Sequence, residues 1–219
     1  MKKGLSEVVY VVDRSGSMAD LESDTIGGIN ANLHSQREAC AHDSEQQVVV
    51  STVLFNHGVE VVHDRVDVSQ VSDLTPKDYQ VGGCTALLDA VGGAIKHVSR
   101  VHGYLPDEYV PEHTILVITT DGLENASEKF TYQQVKRMVE QKTELGWDFL
   151  FLGANIDAAA EAGRLGVRQE NAATYLSDHA GTQVMYQAVC SRVNQMREGS
   201  ADTTGSWRAI IDEDVASRG

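Results

Sequence analysis

Short apolar runs alternate with amphipathic segments along most of the chain. The apolar runs predict β-strands at residues 46–55, 59–66, 113–121, 147–155 and 173–176, after a first strand at 7–13. Between them, apolar residues recur at helical spacing, as at Leu87, Val91, Ile95 and Val98. The predicted helices cover residues 21–40, 85–101, 131–146, 157–166 and 181–196.

This alternation of strand and helix predicts an α/β fold with a mainly parallel sheet and helices on both faces, a Rossmann-like doubly wound architecture. The turn sequence Asn56-His57-Gly58 joins two β-rich runs without a helix, so it predicts a hairpin and one antiparallel strand at the sheet edge. We expect one domain over residues 1–198. From Gly199 to Gly219 the chain is polar and predicts a flexible tail, in which Trp207-Arg208-Ala209-Ile210-Ile211 is a candidate docking peptide.

Composition excludes several classes of protein. The formal charge of −14 disfavours nucleic acid and anionic membrane surfaces as partners. The three cysteines, Cys40, Cys84 and Cys190, form no CxxC pair, which disfavours a zinc knuckle or a disulfide framework. The apolar stretch before Asp13 is too short for a signal peptide core or a membrane span, and we therefore expect a cytoplasmic protein.

Oxygen-bearing side chains follow the predicted strands and helix starts in three places. The first is Asp13, Ser15 and Ser17 after the first strand, the second is Thr85 at a helix start, and the third is Asp121 after the central strand. Ligand sites of open α/β sheets form at the carboxyl ends of the strands, so these groups are expected to lie at one edge. Two carboxylates and three hydroxyls, without imidazole or thiolate, are the ligands of a hard cation such as Mg²⁺ or Mn²⁺.

Each group alone also has an ordinary structural explanation. Ser17 and Thr85 could cap helices, Asp13 could form an Asx-turn, and Asp121-Gly122 is a common turn sequence. A purely structural domain with a vestigial site is therefore an open alternative at this point.

The three segments together carry a resemblance to a known family. "DRSGSM" at residues 13–18, "GGCTALLDAV" at 82–91 and "ITTDG" at 118–122 resemble the metal-ion-dependent adhesion site (MIDAS) of von Willebrand factor A (vWA) domains. The resemblance covers about residues 6–197. It implies that Ser15, Ser17 and Thr85 are hydroxyl ligands, and that Asp13 and Asp121 contact the ion directly or through water.

The resemblance also implies a function. In this family the bound ion accepts an aspartate or glutamate carboxylate from a protein partner. Arg14, Glu124 and Asn125 are candidates for the partner-binding rim. Intracellular members commonly act as adaptors in multiprotein complexes, some with AAA+ ATPases, which implies such a partner. The short chain, without an export signal or extracellular modules, leads us to expect a microbial, bacterial source. In some relatives the last helix shifts when the metal shell changes.

An enzyme is the competing class, namely a metal-dependent phosphoryl-transfer or hydrolytic enzyme that uses Asp13 and Asp121. A haloacid-dehalogenase-type enzyme requires a second aspartate two residues after Asp13, where Ser15 stands. The chain has no GxSxG elbow and no GxxxxGK[ST] loop. We therefore expect a binding module, with no catalytic residues.

Overall fold

The computed structural model describes residues 1–199 and 206–219. In chain order the strands are β1 (Lys2–Asp13), β2 (Gln47–Phe55), β3 (Val59–Asp67), β4 (Pro111–Thr120), β5 (Trp147–Ala154) and β6 (Ala172–Tyr175). The helices are α1 (Glu22–His42), α2 (Leu87–Tyr104), α3 (Tyr132–Glu144), α4 (Ala158–Leu165), α5 (His179–Arg197) and α6 (Ala209–Arg218). Short 3-10 turns at Gly16–Met18 and Ser206–Arg208 precede α1 and α6.

The strands form one six-stranded sheet in the order β3-β2-β1-β4-β5-β6. All neighbouring pairs are parallel except β2 and β3, which are antiparallel. The predicted fold class is confirmed, including the antiparallel edge strand formed by the hairpin at Asn56-His57-Gly58.

Two hydrophobic clusters fill the space on either side of the sheet. Alternate residues of β1 enter each one: Val8 and Tyr10 pack toward α1 and α5, while Val9 and Val11 pack toward α2, α3 and α4. Because both faces of β1 are covered, its apolar run is continuous and nearly inaccessible to solvent.

Helix ends are fixed by local hydrogen bonds. Thr131 and Gln134 form a capping box at the start of α3, and Asp157 and Asp178 accept backbone N–H groups at the starts of α4 and α5. None of the helices among the described residues combines the length and apolarity required of a membrane-spanning segment.

The C-terminal segment differs from the expected flexible tail. Trp207 and Ile211 are 5% and 1% exposed and belong to the cluster beneath α1 and α5. The Trp207 indole N–H donates to Glu170 O at 2.9 Å, and Arg208 Nη1 donates to Ala172 O at 2.7 Å. These contacts fix α6 beside β6, so the candidate docking peptide packs against its own chain. The rest of the predicted tail, residues 200–205, lies outside the described residues.

Candidate metal centre

The site lies at the centre of the sheet, where β1 and β4 are neighbours. Their parallel register pairs Val12 with Thr119, so the residues that follow, Asp13 and Thr120, lie side by side at the carboxyl ends of the strands. After β1 the chain continues to β2 on one side, and after β4 it continues to β5 on the other side. This is the topological switch point, where α/β folds form their ligand sites. Asp13 and Asp121 are 0% and 3% exposed.

Hydrogen bonds fix the Asp13 carboxylate. The Ser15 backbone N–H donates to Oδ1 at 2.7 Å, and the Thr120 hydroxyl donates to Oδ2 at 2.6 Å. The Tyr79 hydroxyl donates to the backbone carbonyl of Asp13. Burial raises the pKa of Asp13 to about 6, the hydrogen bonds from Thr120 and Ser15 oppose this rise, and the negative charge of Asp121 adds to it. A buried carboxylate of this kind is stabilised by a nearby cation.

The two serines connect Asp13 to Asp121. Ser15 Oγ and Ser17 Oγ are 3.1 Å apart, and the Ser17 hydroxyl donates to Asp121 Oδ1 at 2.6 Å. The other oxygen of this carboxylate, Asp121 Oδ2, is buried and has no hydrogen-bond partner within residues 1–199 and 206–219. Burial also raises the pKa of Asp121. Ser17 therefore faces Asp121 and does not cap α1, whose N-cap position is occupied by Leu21.

Thr85 reaches the same place from the loop before α2. A methyl group built on Gly122 would lie 3.5 Å from Thr85 Oγ1 and 3.8 Å from Ser17 Oγ, so the two hydroxyls flank the same glycine. Asn125 holds the Thr85 backbone: its Oδ1 accepts the Thr85 N–H at 2.8 Å, and its own N–H donates to Thr85 O at 3.0 Å. Thr85 itself is 3% exposed.

The loop that carries Thr85 is joined to its neighbours through backbone groups. The Gly16 N–H donates to Gly83 O at 3.0 Å, and the Asn56 side-chain amide donates to Gly82 O at 2.8 Å. Gly83 has φ +81° and lies directly under the His57 ring, where an added Cβ would be 2.2 Å from Nδ1. Only glycine fits there, because both its backbone angle and the contact exclude a side chain.

Arg14, one of the three predicted rim residues, is held by its own chain. Its guanidinium forms an ion pair with Glu60 at 2.8 Å and donates to Asp78 O at 3.4 Å, and its side chain is 15% exposed. The arginine thus links the site to the β2–β3 hairpin. Its contact with a partner stays a prediction.

Glu124 and Asn125 also have internal roles. The Glu124 carboxylate accepts hydrogen bonds from the backbone N–H groups of Leu88, Ala126 and Ser127 and from the Ser127 hydroxyl. It closes the amino end of α2 on the loop after β4, while Asn125 positions Thr85. The part of these two residues in partner binding is likewise still a prediction.

Sequence reasoning missed three residues that support the site: Thr120, Tyr79 and Asn56. Thr120 directly precedes Asp121 in "ITTDG", and this adjacency is the available signal in the sequence. The sequence pattern assigns Asn56 only to the hairpin turn. Tyr79 lies far from Asp13 in sequence, in a segment without a regular pattern, and nothing in the sequence marks it.

The group fits a hard divalent cation. It offers hydroxyl oxygens, two carboxylates with raised pKa values, and a buried oxygen, Asp121 Oδ2, that has no hydrogen-bond partner among the residues described. The part of the chain that the structure describes contains no cluster of three or more His, Cys, Asp or Glu side chains suited to a metal ion. The candidate site has only two carboxylates, and its other proposed ligands are hydroxyl groups, so it is not a cluster of that kind. The structure brings together the five predicted ligands, and their binding of metal is a prediction.

No family model and no curated protein matches the sequence, whereas solved structures match its fold. The vWF domain of the type V pili tip protein Mfa5 from Porphyromonas gingivalis has a TM-score of 0.60 at 10% identity, over 86% of this chain and 95% of that one. The pilus adhesin SpaC from Lactobacillus rhamnosus GG has a TM-score of 0.65 at 11% identity, over 90% of this chain and 30% of that one.

A third structure, proximal thread matrix protein 1 from the mussel byssus with a zinc-occupied MIDAS motif, has a TM-score of 0.56 at 14% identity. The match covers 87% of this chain and 46% of the mussel chain, so this chain spans about half the length of that protein. The comparisons define the class of fold: the chain has the fold of a von Willebrand factor A domain. At these identities they extend to the fold alone.

Proposed function

We propose that this protein is a divalent-metal-dependent protein-binding module. Asp13, Ser15, Ser17, Thr85 and Asp121 would hold Mg²⁺ or Mn²⁺. When bound, the cation supplies an electrophilic centre with an exchangeable water position, which an aspartate or glutamate carboxylate of a partner can occupy. The same ion locally reverses the sign of a protein with a net charge of −14, so that an acidic partner residue is attracted.

One observation carries this proposal: Asp121 Oδ2 is buried beside the hydroxyl of Ser17 and the carboxylate of Asp13, and no hydrogen-bond partner for it is found in the described part of the chain. A buried carboxylate oxygen without a partner is costly, and native proteins pair such groups or bind an ion there. A vestigial structural site would be expected to satisfy this oxygen internally.

The surrounding residues keep the ligands in place. Thr120 and the Ser15 backbone N–H hold the Asp13 carboxylate, so that its oxygens keep a fixed direction. Asn125 fixes the Thr85 backbone from both sides. Ligands that are held before binding lose little conformational entropy when an ion is bound.

A metal titration tests the proposal directly. Thermal unfolding should shift upward with Mg²⁺ or Mn²⁺, because an ion that binds only the folded state stabilises it by about 2.7 kcal/mol at a hundredfold excess over Kd. Thr85→Ala should abolish the shift. Thr114→Ala is a matched control, since Thr114 is also 3% exposed but lies near the opposite end of β4. Equal metal shifts in both variants would contradict the assignment.

Partner capture tests the second half of the proposal. The full chain is immobilised in Mg²⁺ or in EDTA, and the proteins that it retains only in Mg²⁺ are identified. A true partner should also be retained by Thr114→Ala and should be lost with Thr85→Ala. We expect a cytoplasmic protein that presents an acidic residue, with a complex containing an AAA+ ATPase as the first candidate. If a metal-dependent partner binds equally well after all of its acidic interface residues are changed to amides, the carboxylate mechanism is wrong.

The alternative is a phosphoryl-transfer or hydrolytic enzyme that uses Asp13 and Asp121. Both carboxylates are engaged by hydroxyl donors from Thr120 and Ser17, and no residue of the described site is assigned as an activated nucleophile. Incubation with a generic phosphate ester in Mg²⁺ tests this alternative. Turnover that disappears in Asp13→Asn would replace the binding-module proposal.

A further inference from the structure

A cavity opens at the end of the sheet opposite the metal centre. It has a volume of about 320 Å³, and its lining includes Thr114 and Trp147, which are register partners near the starts of β4 and β5. Thr120, beside the metal centre, lies six residues further along β4 than Thr114, so the two sites are roughly 20 Å apart. The last turns of α2 and α3 complete the walls. The cavity is therefore separate from the site described above.

Lys142 supplies a cation to this cavity. Its Nζ lies 4.9 Å from the centroid of the Trp147 ring, a cation–π contact that holds the ammonium beside a residue of the cavity wall. Lys142 forms no ion pair within residues 1–199 and 206–219. Burial lowers the pKa of Lys142, because the charged form is incompletely solvated there. An anion bound in the cavity would stabilise this ammonium.

Ser99 supplies a hydroxyl. It lines the cavity from α2, and its Oγ is buried with no hydrogen-bond partner in the part of the chain that the structure describes. Buried hydroxyls normally form a hydrogen bond, and a carboxylate oxygen is a strong acceptor for one. Lys142 and Ser99 therefore offer N–H and O–H donors to the same cavity.

The other basic side chains nearby already have an acidic partner. His102 lines the cavity, but its Nε2 lies 2.7 Å from Glu7 Oε2, and Arg65 donates to the same oxygen. Glu7 is 0% exposed, so its charge is neutralised inside the protein. The His102 ring also contacts Trp147 edge-to-face, with 5.4 Å between the ring centroids, which fixes this part of the wall. Recognition of an anion is thus left to Lys142.

The acidic residue of the cavity limits the charge of a ligand. Glu112 is part of the lining, and its Oε2 accepts the Gly4 N–H at 2.8 Å. With one ammonium and one carboxylate in its lining, the cavity opposes a dianion more strongly than a monoanion. Val110, Pro111 and Leu145 add apolar wall. A ligand with a single carboxylate and a small apolar body satisfies both features.

We propose that this cavity binds a small organic acid with one carboxylate, which accepts hydrogen bonds from the Lys142 ammonium and the Ser99 hydroxyl while its apolar part contacts the apolar wall. The volume of about 320 Å³ is at the lower end of the range for small-molecule sites, which suits a ligand of about ten non-hydrogen atoms. Binding at this cavity requires neither the metal ion nor the protein partner proposed above.

The probe is phenylacetate, titrated into the full chain by calorimetry in EDTA at constant ionic strength, so that the metal centre plays no part. We expect a Kd on the order of 1 mM or below, as the size of the ligand allows. Phenylacetamide has nearly the same shape without the charge, and it should bind at least roughly tenfold more weakly. Inorganic phosphate should not compete with phenylacetate.

Substitutions in the cavity should reduce binding selectively. Lys142→Met keeps an unbranched apolar side chain and should weaken phenylacetate binding by roughly tenfold or more, while phenylacetamide binding stays unchanged. Lys136→Met is the matched control, because Lys136 lies on the same helix, pairs with Glu140 and is outside the cavity; it should bind as the wild-type chain does. Ser99→Ala should weaken binding by roughly fivefold or more without loss of stability, since it removes a hydroxyl that has no partner among the described residues.

Several results would overturn the proposal. Absence of phenylacetate binding well above the expected Kd would remove the site. Equal binding by Lys142→Met and Lys136→Met would show non-specific binding, and effective competition by phosphate would show a general anion site. Phenylalanine that binds more tightly than phenylacetate, with the gain lost in Glu112→Gln, would show that the cavity selects a zwitterion and not a monocarboxylate.

Discussion

Replacing Asp13 with asparagine should stabilise the metal-free protein while destroying its metal site. The pKa of Asp13 is raised by burial from 3.8 to about 6 in the folded chain. The two values differ by ~2, and each pKa unit corresponds to about 1.36 kcal/mol, so ionising this group in the folded state costs ~3 kcal/mol at pH 7.

The sign of this effect follows from the raised pKa. Below pH ~4 the carboxyl is protonated in the folded and the unfolded chain, and its contribution to stability is fully present. As the pH rises through about 6 the folded chain must give up the proton, and that contribution is lost. Asparagine does not ionise, and it can still accept the Ser15 N–H and meet the Thr120 hydroxyl. The advantage of Asp13→Asn in EDTA should therefore be largest at pH 7 and should vanish near pH 4.

Calorimetry in EDTA between pH 4 and pH 7.5 measures this difference. For a chain of this length ~3 kcal/mol corresponds to roughly 6–12 °C in Tm at neutral pH. Saturating Mg²⁺ should raise the Tm of the wild-type chain and leave Asp13→Asn unchanged.

Asp78→Asn provides a control of opposite sign. Hydrogen bonds from Thr75 lower the pKa of the partly exposed Asp78, so its replacement should give no gain in stability. The reasoning is refuted if Asp13→Asn is less stable than the wild-type chain in EDTA at pH 7 and their difference does not vary with pH.

Three further substitutions test the support of the site and the C-terminal segment. Thr120→Val removes the hydroxyl that donates to Asp13 and should cost about 1.5–3 kcal/mol by urea unfolding at pH 7, with weaker Mg²⁺ affinity by calorimetric titration. Asn125→Ala frees the backbone of Thr85 and should lower Mg²⁺ affinity by roughly 10-fold or more, as for other groups that orient ligands, while the wild-type Mg²⁺ affinity would contradict the positioning role. Trp207→Ala should cost about 3–5 kcal/mol in urea unfolding, and a loss below 1 kcal/mol would show that the segment adds little stability.

The sheet and its covering helices could be predicted because each element carries its own periodic signal. The continuous apolar run of β1 is typical of a strand covered on both faces, and Asn56-His57-Gly58 permits a tight turn between β2 and β3. The α2 pattern of Leu87, Val91 and Ile95 corresponds to its buried face. Such signals are local, so they can be interpreted from the sequence without knowledge of tertiary contacts.

The supporting parts of the site could not be predicted in the same way. Thr120 is a β-branched residue in a strand, and its hydroxyl acquires a role only because β1 and β4 are adjacent in register. Tyr79 reaches Asp13 across many residues of irregular chain. For α6, two apolar side chains, Trp207 and Ile211, decide the packing, which is too few to produce a recognisable period in a polar segment.

The placement of α6 makes the two borders of the sheet unequal. Helix α6 packs alongside β6, while β3 at the other border is bare on its outer side in the part of the chain that the structure describes. Fibril growth by stacking copies edge to edge requires both borders, since each copy must receive one neighbour and offer a place to the next. With β6 covered by α6, we expect that copies of this chain cannot stack edge to edge without limit. Deleting α6 would uncover β6, and we expect the shortened chain to be more prone to edge-to-edge polymerisation.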